Sequence, residues 1–269
     1  AWRAGYSPLG RRMSDPIRSR LFLMPKPLAA PRVRLICFPH AGAGASTFQP
    51  WAAPLSEAGI EVRSAQYPGR ENRWGEPLLR SVEAMAEHWY EHWPALAGED
   101  GVPVVIYGHS MGVLVAYELA RRLHGTAPDL RRLILGGRNP PHLPSVHPPI
   151  HHQPDDAFLA AVAERYGNLP AVLLADPEMR ELMVPVLKAD FELVDEYRAD
   201  ESAMPLAVPL SLLNGTEDPF VSLATLPDWQ GYTSDSCRWE QIKGGHFFHQ
   251  QNREPVILLI KQELADITK

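Results

Sequence analysis

The chain has 269 residues, of which 45% are hydrophobic and 22% are charged, and its formal net charge is -6. This composition is ordinary for a globular protein, and the acidic balance argues against nucleic-acid binding, since phosphate contacts require a positive surface. The two cysteines, Cys37 and Cys237, form no CxxC pair. Because no apolar run reaches membrane length and no signal segment is recognisable, we expect a cytoplasmic protein without membrane contact.

The first twelve residues, AWRAGYSPLGRR, differ in character from the rest and precede Met13. We predict that residues 1–20 form a flexible N-terminal extension and that residues 21–269 form one domain, a length that suits a single large core.

Short apolar runs alternate with segments of helical period along most of the chain. Strands are predicted at Val33–Phe38, Glu61–Gln66, Pro103–Tyr107, Arg131–Gly136, Val208–Leu213 and Arg238–Ile242. Helices are predicted at Ser81–Leu96, Ser110–Leu123 and Glu254–Asp266. Strands that are apolar at nearly every position are typical of parallel sheets covered on both faces. The alternation therefore predicts an α/β fold with a mostly parallel central sheet and helices on both faces.

One stretch, from Asn139 to about Ala207, contains no good strand. A proline- and histidine-rich loop leads into two helical segments, Asp155–Tyr166 and Pro177–Tyr197. We predict a helical lid, inserted at about residues 140–205, over the strand ends. Phe158 and Phe191 lie on the apolar faces of these helices and are candidates to contact substrate; the alternative is that they form only core.

Residues Tyr107–Gly112 read YGHSMG and contain the pattern G-x-S-x-G. In a nucleophile elbow, this serine lies on a tight strand-to-helix turn in a strained backbone conformation. Gly108 and Gly112 remove side chains that would collide across the turn. Because a predicted strand precedes the pattern and a predicted helix follows it, we predict that Ser110 is a nucleophile of the α/β-hydrolase type. The alternative is a tight turn with a buried hydroxyl.

The acid of such a site follows a later strand, and the base follows the last strand. The loop after Arg131–Gly136 has no carboxylate, whereas NGTEDPF after Val208–Leu213 has Glu217 and Asp218. Asp218 is the predicted acid, with Glu217 as the rival; Asp218 could instead only shape a turn with the following proline.

The predicted base is His246, in the sequence KGGHFFHQ, because the preceding double glycine permits a sharp loop toward the serine. His249 is the rival. The predicted oxyanion donors are the backbone N–H groups of Ala41, in the loop CFPHAGAG after the first strand, and of Met111. Gly42 is the alternative to Ala41.

His88 and His92, in HWYEH, match an inverted zinc-protease pattern, in which two histidines share one helix face. Because the neighbouring tryptophans are typical of core packing and a third ligand is missing, we expect no metal site. Serine chemistry of this kind requires no cofactor, and none is expected.

Five segments, FPHAGAGAS, AQYPGRENR, YGHSMG, LNGTEDPFVS and KGGHFF, occur in this order between residues 38 and 248. Together they resemble the type II thioesterases of polyketide and nonribosomal peptide assembly lines, over nearly the whole chain after about residue 20. The resemblance implies that nucleophile, acid and base fall on Ser110, Asp218 and His246, and the oxyanion donors on Ala41 and Met111.

Enzymes of this family free stalled or misprimed acyl groups from the phosphopantetheine arm of carrier proteins. The resemblance thus implies an acyl or peptidyl carrier protein as partner, and we expect the chain to be a monomer. The alternatives are a general carboxylesterase, an acyltransferase of the same fold and a non-catalytic carrier-protein binder. The long loop Pro140–Pro154 departs from the family pattern, so the inference from the family is weakest in the lid.

Three arginines, Arg70, Arg73 and Arg138, follow predicted strands at the edge where parallel sheets bind ligands. We predict that Arg73 and Arg138 contribute to a positive rim that steers acidic carrier proteins. The alternative is that these arginines hold loops through internal contacts, which is favoured for Arg70 in its tight PGR turn.

Overall fold

A computed structural model describes residues 20–143, 145–167, 173, 175–200 and 202–267. Within these residues a seven-stranded sheet has the order β1-β3-β2-β4-β5-β6-β7, with β1 antiparallel and the other strands parallel. The strands are β1 (Phe22–Leu23), β2 (Val33–Phe38), β3 (Ile60–Ala65), β4 (Val104–His109), β5 (Leu130–Gly136), β6 (Leu210–Gly215) and β7 (Cys237–Ile242).

The α-helices are α1 (Ala52–Ser56), α2 (Val82–Glu91), α3 (Trp93–Ala97), α4 (Met111–Leu123), α5 (Asp155–Tyr166), α6 (Pro177–Glu196), α7 (Phe248–Gln251) and α8 (Arg253–Glu263). In the described part of the chain, 3-10 segments accompany them at Ala45–Trp51, Glu71–Arg73 and Leu223–Tyr232. No described helix has both the length and the apolar character needed to cross a membrane.

The predicted strands agree with the observed ones to within two residues at either end. The predicted helix Ser81–Leu96 is two helices, because His92 leaves helical geometry at φ -99° and ψ 8° and Pro94, close behind, cannot donate a helical hydrogen bond. Strand β1 and the 3-10 segment Leu223–Tyr232 were not predicted, because they are too short or too irregular to leave a periodic pattern. The predicted extension, residues 1–20, lies outside the described residues except for Arg20.

Helices cover both faces of the sheet, as predicted. On one face α2 and α4 pack against the strands through Trp89, Leu114 and Leu119, all fully buried. On the other face Trp51, Leu55 and the α8 residue Ile260 close a second core. Because both faces are covered, β2, β3, β4 and β6 are buried at every residue, whereas the edge strand β7 is mostly exposed.

Helices α5 and α6 lie in the segment between β5 and β6, here named the insertion (residues 137–209). Their local sequence explains their ends. Asp176 caps α6 by accepting hydrogen bonds from two backbone N–H groups of the first turn, and Pro177 occupies a position where no N–H is needed. Gly167 ends α5 in the left-handed conformation that glycine tolerates.

The turn between β4 and α4 packs against the end of β2 at a distance that excludes side chains. A Cβ on Gly112 would lie 2.1 Å from the carbonyl oxygen of Phe38, and one on Gly108 would lie 2.4 Å from the carbonyl oxygen of Gly112. The predicted reason for both glycines is therefore confirmed. The contact brings Ser110 next to the loop that follows β2.

We expect Gly112→Ala to lower the free energy of unfolding by about 2 kcal/mol or more, because the new methyl group meets backbone rather than a movable side chain. Gly231→Ala is the matched control, since a Cβ there meets nothing within 4 Å. Urea unfolding of both variants measures the difference. Equal stability of the two variants would contradict the packing argument.

Candidate active site

Ser110 lies between β4 and α4 in a strained backbone conformation, with φ 53° and ψ -112°. For a residue with a Cβ this region is costly. The Ser110 N–H donates to the carbonyl oxygen of Gly136 at 2.8 Å, which ties the turn to the neighbouring strand β5. The side chain thereby stands at the carboxyl edge of the sheet, at the amino end of α4.

His246 and Asp218 complete a hydrogen-bonded series with Ser110. The Ser110 hydroxyl oxygen lies 3.0 Å from His246 Nε2, and His246 Nδ1 lies 2.9 Å from Asp218 Oδ2. The Asp218 carboxylate is fully buried, and its other oxygen accepts the Phe220 N–H at 2.9 Å. Asp218 therefore shapes its turn and contacts the imidazole at the same time. The geometry suits a hydroxyl that gives its proton to the imidazole.

Neither rival residue takes part in this series. Glu217 is exposed. His249 lies in α7, is 1% exposed, and neither ring nitrogen has a hydrogen-bond partner among the described residues. The loop before His246 passes close to the end of β6, where a Cβ on Gly215 would lie 2.4 Å from the Gly244 carbonyl oxygen. This close approach directs His246 toward Ser110.

A cluster of three further histidines, His40, His109 and His249, packs behind the His246 backbone. His109 Nε2 donates to the His246 carbonyl oxygen at 2.8 Å, and the Tyr107 hydroxyl lies 3.1 Å from His109 Nδ1. Burial lowers the pKa of His109 and of His249 well below the usual value, and lowers that of His40 to about 3. The three rings are therefore neutral at pH 7.

The loop after β2, residues 40–44, is named the oxyanion loop after the role predicted for it. Its Ala41 N–H forms no hydrogen bond with a described residue, whereas the Gly42 N–H donates to Asp190 of α6 at 2.7 Å. Gly42 has φ 76°, a conformation that favours glycine. The Met111 N–H belongs to the first turn of α4, where helical N–H groups lack intrahelical partners.

A cavity of about 310 Å³ opens beside Ser110 and His246, under the insertion. Its walls are mostly apolar side chains of the insertion, among them Val162, Met183, Val186, Leu187, Phe191 and Val194. A second cavity, of about 70 Å³, meets Ser110 and is lined by Asn139, His147 and Phe220. Arg138 and Tyr166 line both cavities.

The other predicted site residues lie elsewhere. Phe158 is fully buried, packs edge-on against Phe191 at 5.4 Å, and does not line the cavities. Arg73 is buried; it pairs with Glu76 at 2.6 Å and donates to the Gln66 carbonyl oxygen at 2.9 Å. Arg73 is thus an internal loop contact and forms no exposed positive rim.

Arg70 also lies inside the protein, as the alternative interpretation predicted, in a two-bond pair with Asp190. Arg138 differs from both, since its guanidinium forms no ion pair or hydrogen bond with a described residue and burial lowers its pKa. His88 lies 3.0 Å from Arg73 and shares no metal-like grouping; among the described residues no three potential ligands come together.

A thioesterase-domain family model matches residues 33–264 of this sequence. The chain belongs to the thioesterase family. It is an acyl-thioester hydrolase with the α/β-hydrolase fold, as the sequence motifs predicted, and the site described above lies within the matched region.

Proteins similar to this chain include named thioesterases. The Thioesterase PikA5 of Streptomyces venezuelae is 36% identical over 80% of this chain and 75% of its own length. Linear gramicidin dehydrogenase LgrE of Brevibacillus parabrevis is 34% identical over 91% of this chain and 93% of its own length, although its name denotes a different activity. The solved structure of YbtT, a type II thioesterase from the yersiniabactin NRPS/PKS pathway, has a TM-score of 0.83 and 27% identity, covering 93% of this chain and all of that one.

Sequence reasoning missed Tyr166 and Asp190. Tyr166 ends α5 and stacks on Phe220 at 4.5 Å, beside His246 at 5.6 Å between ring centres. Its only sequence signal is its place before the glycine that ends the helix. Asp190 has no local signal, because its partners lie more than a hundred residues earlier.

We expect stability to fall as the pH drops below about 6.5. The unfolded chain binds protons on His40, His109 and His249 near that pH, whereas the folded chain does not, so unfolding takes up protons. Each fully neutral histidine contributes a slope of about 1.4 kcal/mol per pH unit below that value. His249→Phe removes one such group and should reduce the slope by about one proton.

Urea unfolding between pH 4 and 7 measures this slope. The parent protein, unfolded over the same pH range, provides the reference slope. A slope in His249→Phe equal to that of the parent protein would disprove the assignment of His249 as a buried neutral ring.

Proposed function

We propose that this thioesterase hydrolyses acyl groups from the phosphopantetheine arm of acyl or peptidyl carrier proteins, and so clears stalled or misprimed assembly lines. The observation that carries the proposal is the hydrogen-bonded series Ser110–His246–Asp218 beside a largely apolar cavity. Similarity to a type II thioesterase of an NRPS/PKS pathway and to the thioesterase PikA5 supports this substrate class.

Acylation begins when His246 Nε2 takes the proton of the Ser110 hydroxyl as its oxygen attacks the thioester carbonyl carbon. Asp218 holds the imidazole so that Nε2 faces the serine, and stabilises the imidazolium that forms. Collapse of the tetrahedral intermediate breaks the carbon–sulfur bond, and the thiol of the arm leaves with a proton from His246. A thiol leaves readily because its pKa is about 8.5.

The negative oxygen of the intermediate accepts hydrogen bonds from the N–H groups of Ala41 and Met111. Each such donor is worth about 2.7–4 kcal/mol in comparable enzymes. Ala41 is preferred to Gly42 because the Gly42 N–H is already used by Asp190. In the second half-reaction His246 activates a water molecule, which attacks the acyl–Ser110 ester and releases the acid.

The larger cavity provides the site for the acyl chain, and Phe191 forms part of its wall. Phe158 supports Phe191 from behind without touching the cavity space. We assign to Arg138 a contact with an oxygen of the bound substrate, because Arg138 and Ser110 line both cavities.

Ser110→Ala should lower kcat for an acyl-carrier protein by about 10⁴-fold or more, since no other group can form the acyl-enzyme. Ser56→Ala, on the exposed face of α1, is the control and should be fully active. A fluorophosphonate should label the parent protein at Ser110 alone. Labelling at another serine, or an active Ser110→Ala protein, would refute the mechanism.

The same assay separates the alternatives. A thioesterase should hydrolyse an acyl thioester much faster than the matching oxygen ester, whereas a general carboxylesterase should not. Addition of an alcohol or amine acceptor should yield only free acid; formation of the acceptor's ester or amide would indicate an acyltransferase.

Arg138→Gln should lower kcat/KM by about tenfold, the cost of losing a hydrogen bond from a charged donor. We expect similar losses on an acyl-carrier protein and on a small acyl thioester, because Arg138 lies inside the cleft. Arg131→Gln, at the opposite end of β5 and exposed, is the matched control. A loss confined to the carrier protein and suppressed by salt would instead indicate long-range steering.

A further inference from the structure

Asp190 is a fully buried carboxylate on α6 of the insertion, and the mechanism above does not use it. Its Oδ2 accepts the Gly42 N–H at 2.7 Å and Arg70 Nη1 at 2.6 Å, and its Oδ1 accepts Arg70 Nη2 at 2.7 Å. Both oxygens are therefore engaged by strong, charge-assisted or backbone hydrogen bonds. One carboxylate joins three parts of the chain: the insertion, the oxyanion loop and the loop after β3.

Arg70 extends the connection to the next residue of the oxyanion loop. Its Nη1 donates to the Ala43 carbonyl oxygen at 3.2 Å, and its own carbonyl oxygen accepts the Gln66 side chain at 3.0 Å. The guanidinium also stacks over the Tyr67 ring at 5.2 Å. The pair thus holds the oxyanion loop at both a donor and an acceptor of its backbone.

A second residue of the same helix face presses on the same loop. Leu187 lies one turn before Asp190, and its Cδ1 would be 2.7 Å from a Cβ on Gly42. The loop can approach α6 this closely only because residue 42 is glycine. Contact with α6 thus fixes the peptide plane between Ala41 and Gly42, next to the N–H proposed to bind the oxyanion.

The pairing also limits which N–H groups of the loop are available to an oxyanion. Because Asp190 occupies the Gly42 N–H, that group cannot serve, whereas the neighbouring Ala41 N–H forms no hydrogen bond with a described residue. Withdrawal of α6 would leave a buried arginine without its partner, which is strongly unfavourable. The docked position of α6 and the present shape of the loop are therefore coupled.

We propose that Asp190 is a positioning residue: by docking α6 onto the oxyanion loop, it orients the Ala41 N–H for the transition state, so that catalysis depends on the insertion being in place. This inference rests on the proposed function. It assigns to the insertion a part in assembling the oxyanion site, in addition to covering the cavity.

The test compares Asp190→Asn with Glu192→Gln. Glu192 is two residues away on α6 and also joins the insertion to another part of the chain, through the exposed Arg80, but it forms no hydrogen bond or ion pair with a described residue of the oxyanion loop. For Asp190→Asn we expect kcat on an acyl-pantetheine thioester to fall at least tenfold while KM changes less than twofold. Glu192→Gln should keep the parent kcat.

A transition-state readout separates positioning from a merely structural role. The inhibition constant of butylboronic acid, whose tetrahedral adduct with Ser110 places an oxygen at the oxyanion site, should rise in Asp190→Asn by the same factor as kcat falls. If Asp190→Asn does not fold, Arg70→Lys gives the same test, because lysine keeps the charge but cannot form the two-bond pair.

An unchanged kcat, a rise in KM alone, or an equal loss in Glu192→Gln would overturn the inference. Each of these results would leave Ser110 as the nucleophile. Failure of the proposed function is recognised separately, by an active Ser110→Ala protein.

Discussion

The backbone contact between the first turn of α4 and the end of β2 is the constraint on which the site depends. With the Gly112 Cβ position only 2.1 Å from the Phe38 carbonyl oxygen, the strand and the helix meet without any side chain between them. The strained turn at Ser110 follows from this contact, because the chain must reverse within two residues of it. The same contact places the start of the oxyanion loop beside the nucleophile, so one packing event brings together two parts of the site.

The ionisation states of the groups around His246 suit the positive charge that the proposed mechanism creates on its ring. Three imidazoles lie close to His246, and burial keeps them neutral at pH 7. Neutral rings do not oppose the positive charge that the proposed mechanism creates on His246, whereas protonated ones at these separations would. His109 also donates a hydrogen bond to the His246 carbonyl oxygen. Asp218, the acidic partner, is buried, and among the described residues its carboxylate accepts hydrogen bonds from the imidazole and from the Phe220 N–H.

The sequence was sufficient for features that depend on local pattern or on chain order. Apolar runs located the parallel strands, and the glycines around Ser110 identified the elbow, because steric exclusion leaves a residue-type signal. Features that depend on distant partners could not be predicted. An arginine after a strand has the same local sequence whether it points outward or, like Arg73, folds back onto a neighbouring carbonyl. Asp190 resembles any acid on an amphipathic helix until Arg70 is placed beside it.

The ion pair between Arg70 and Asp190 has a consequence for evolution and for engineering. The insertion resembles an exchangeable module, since it enters and leaves the sheet between two adjacent strands. However, the buried ion pair has Asp190 in the insertion and Arg70 outside it, in the loop after β3. If a transplanted insertion lacked an acid at position 190, Arg70 of the host would be buried without an ionic partner. If this insertion were moved into a host without an arginine at position 70, Asp190 would be buried without its partner. Substitutions at positions 70 and 190 are therefore expected to occur together. Substitutions that alter substrate range are least constrained on the helix faces of the insertion that point away from this pair.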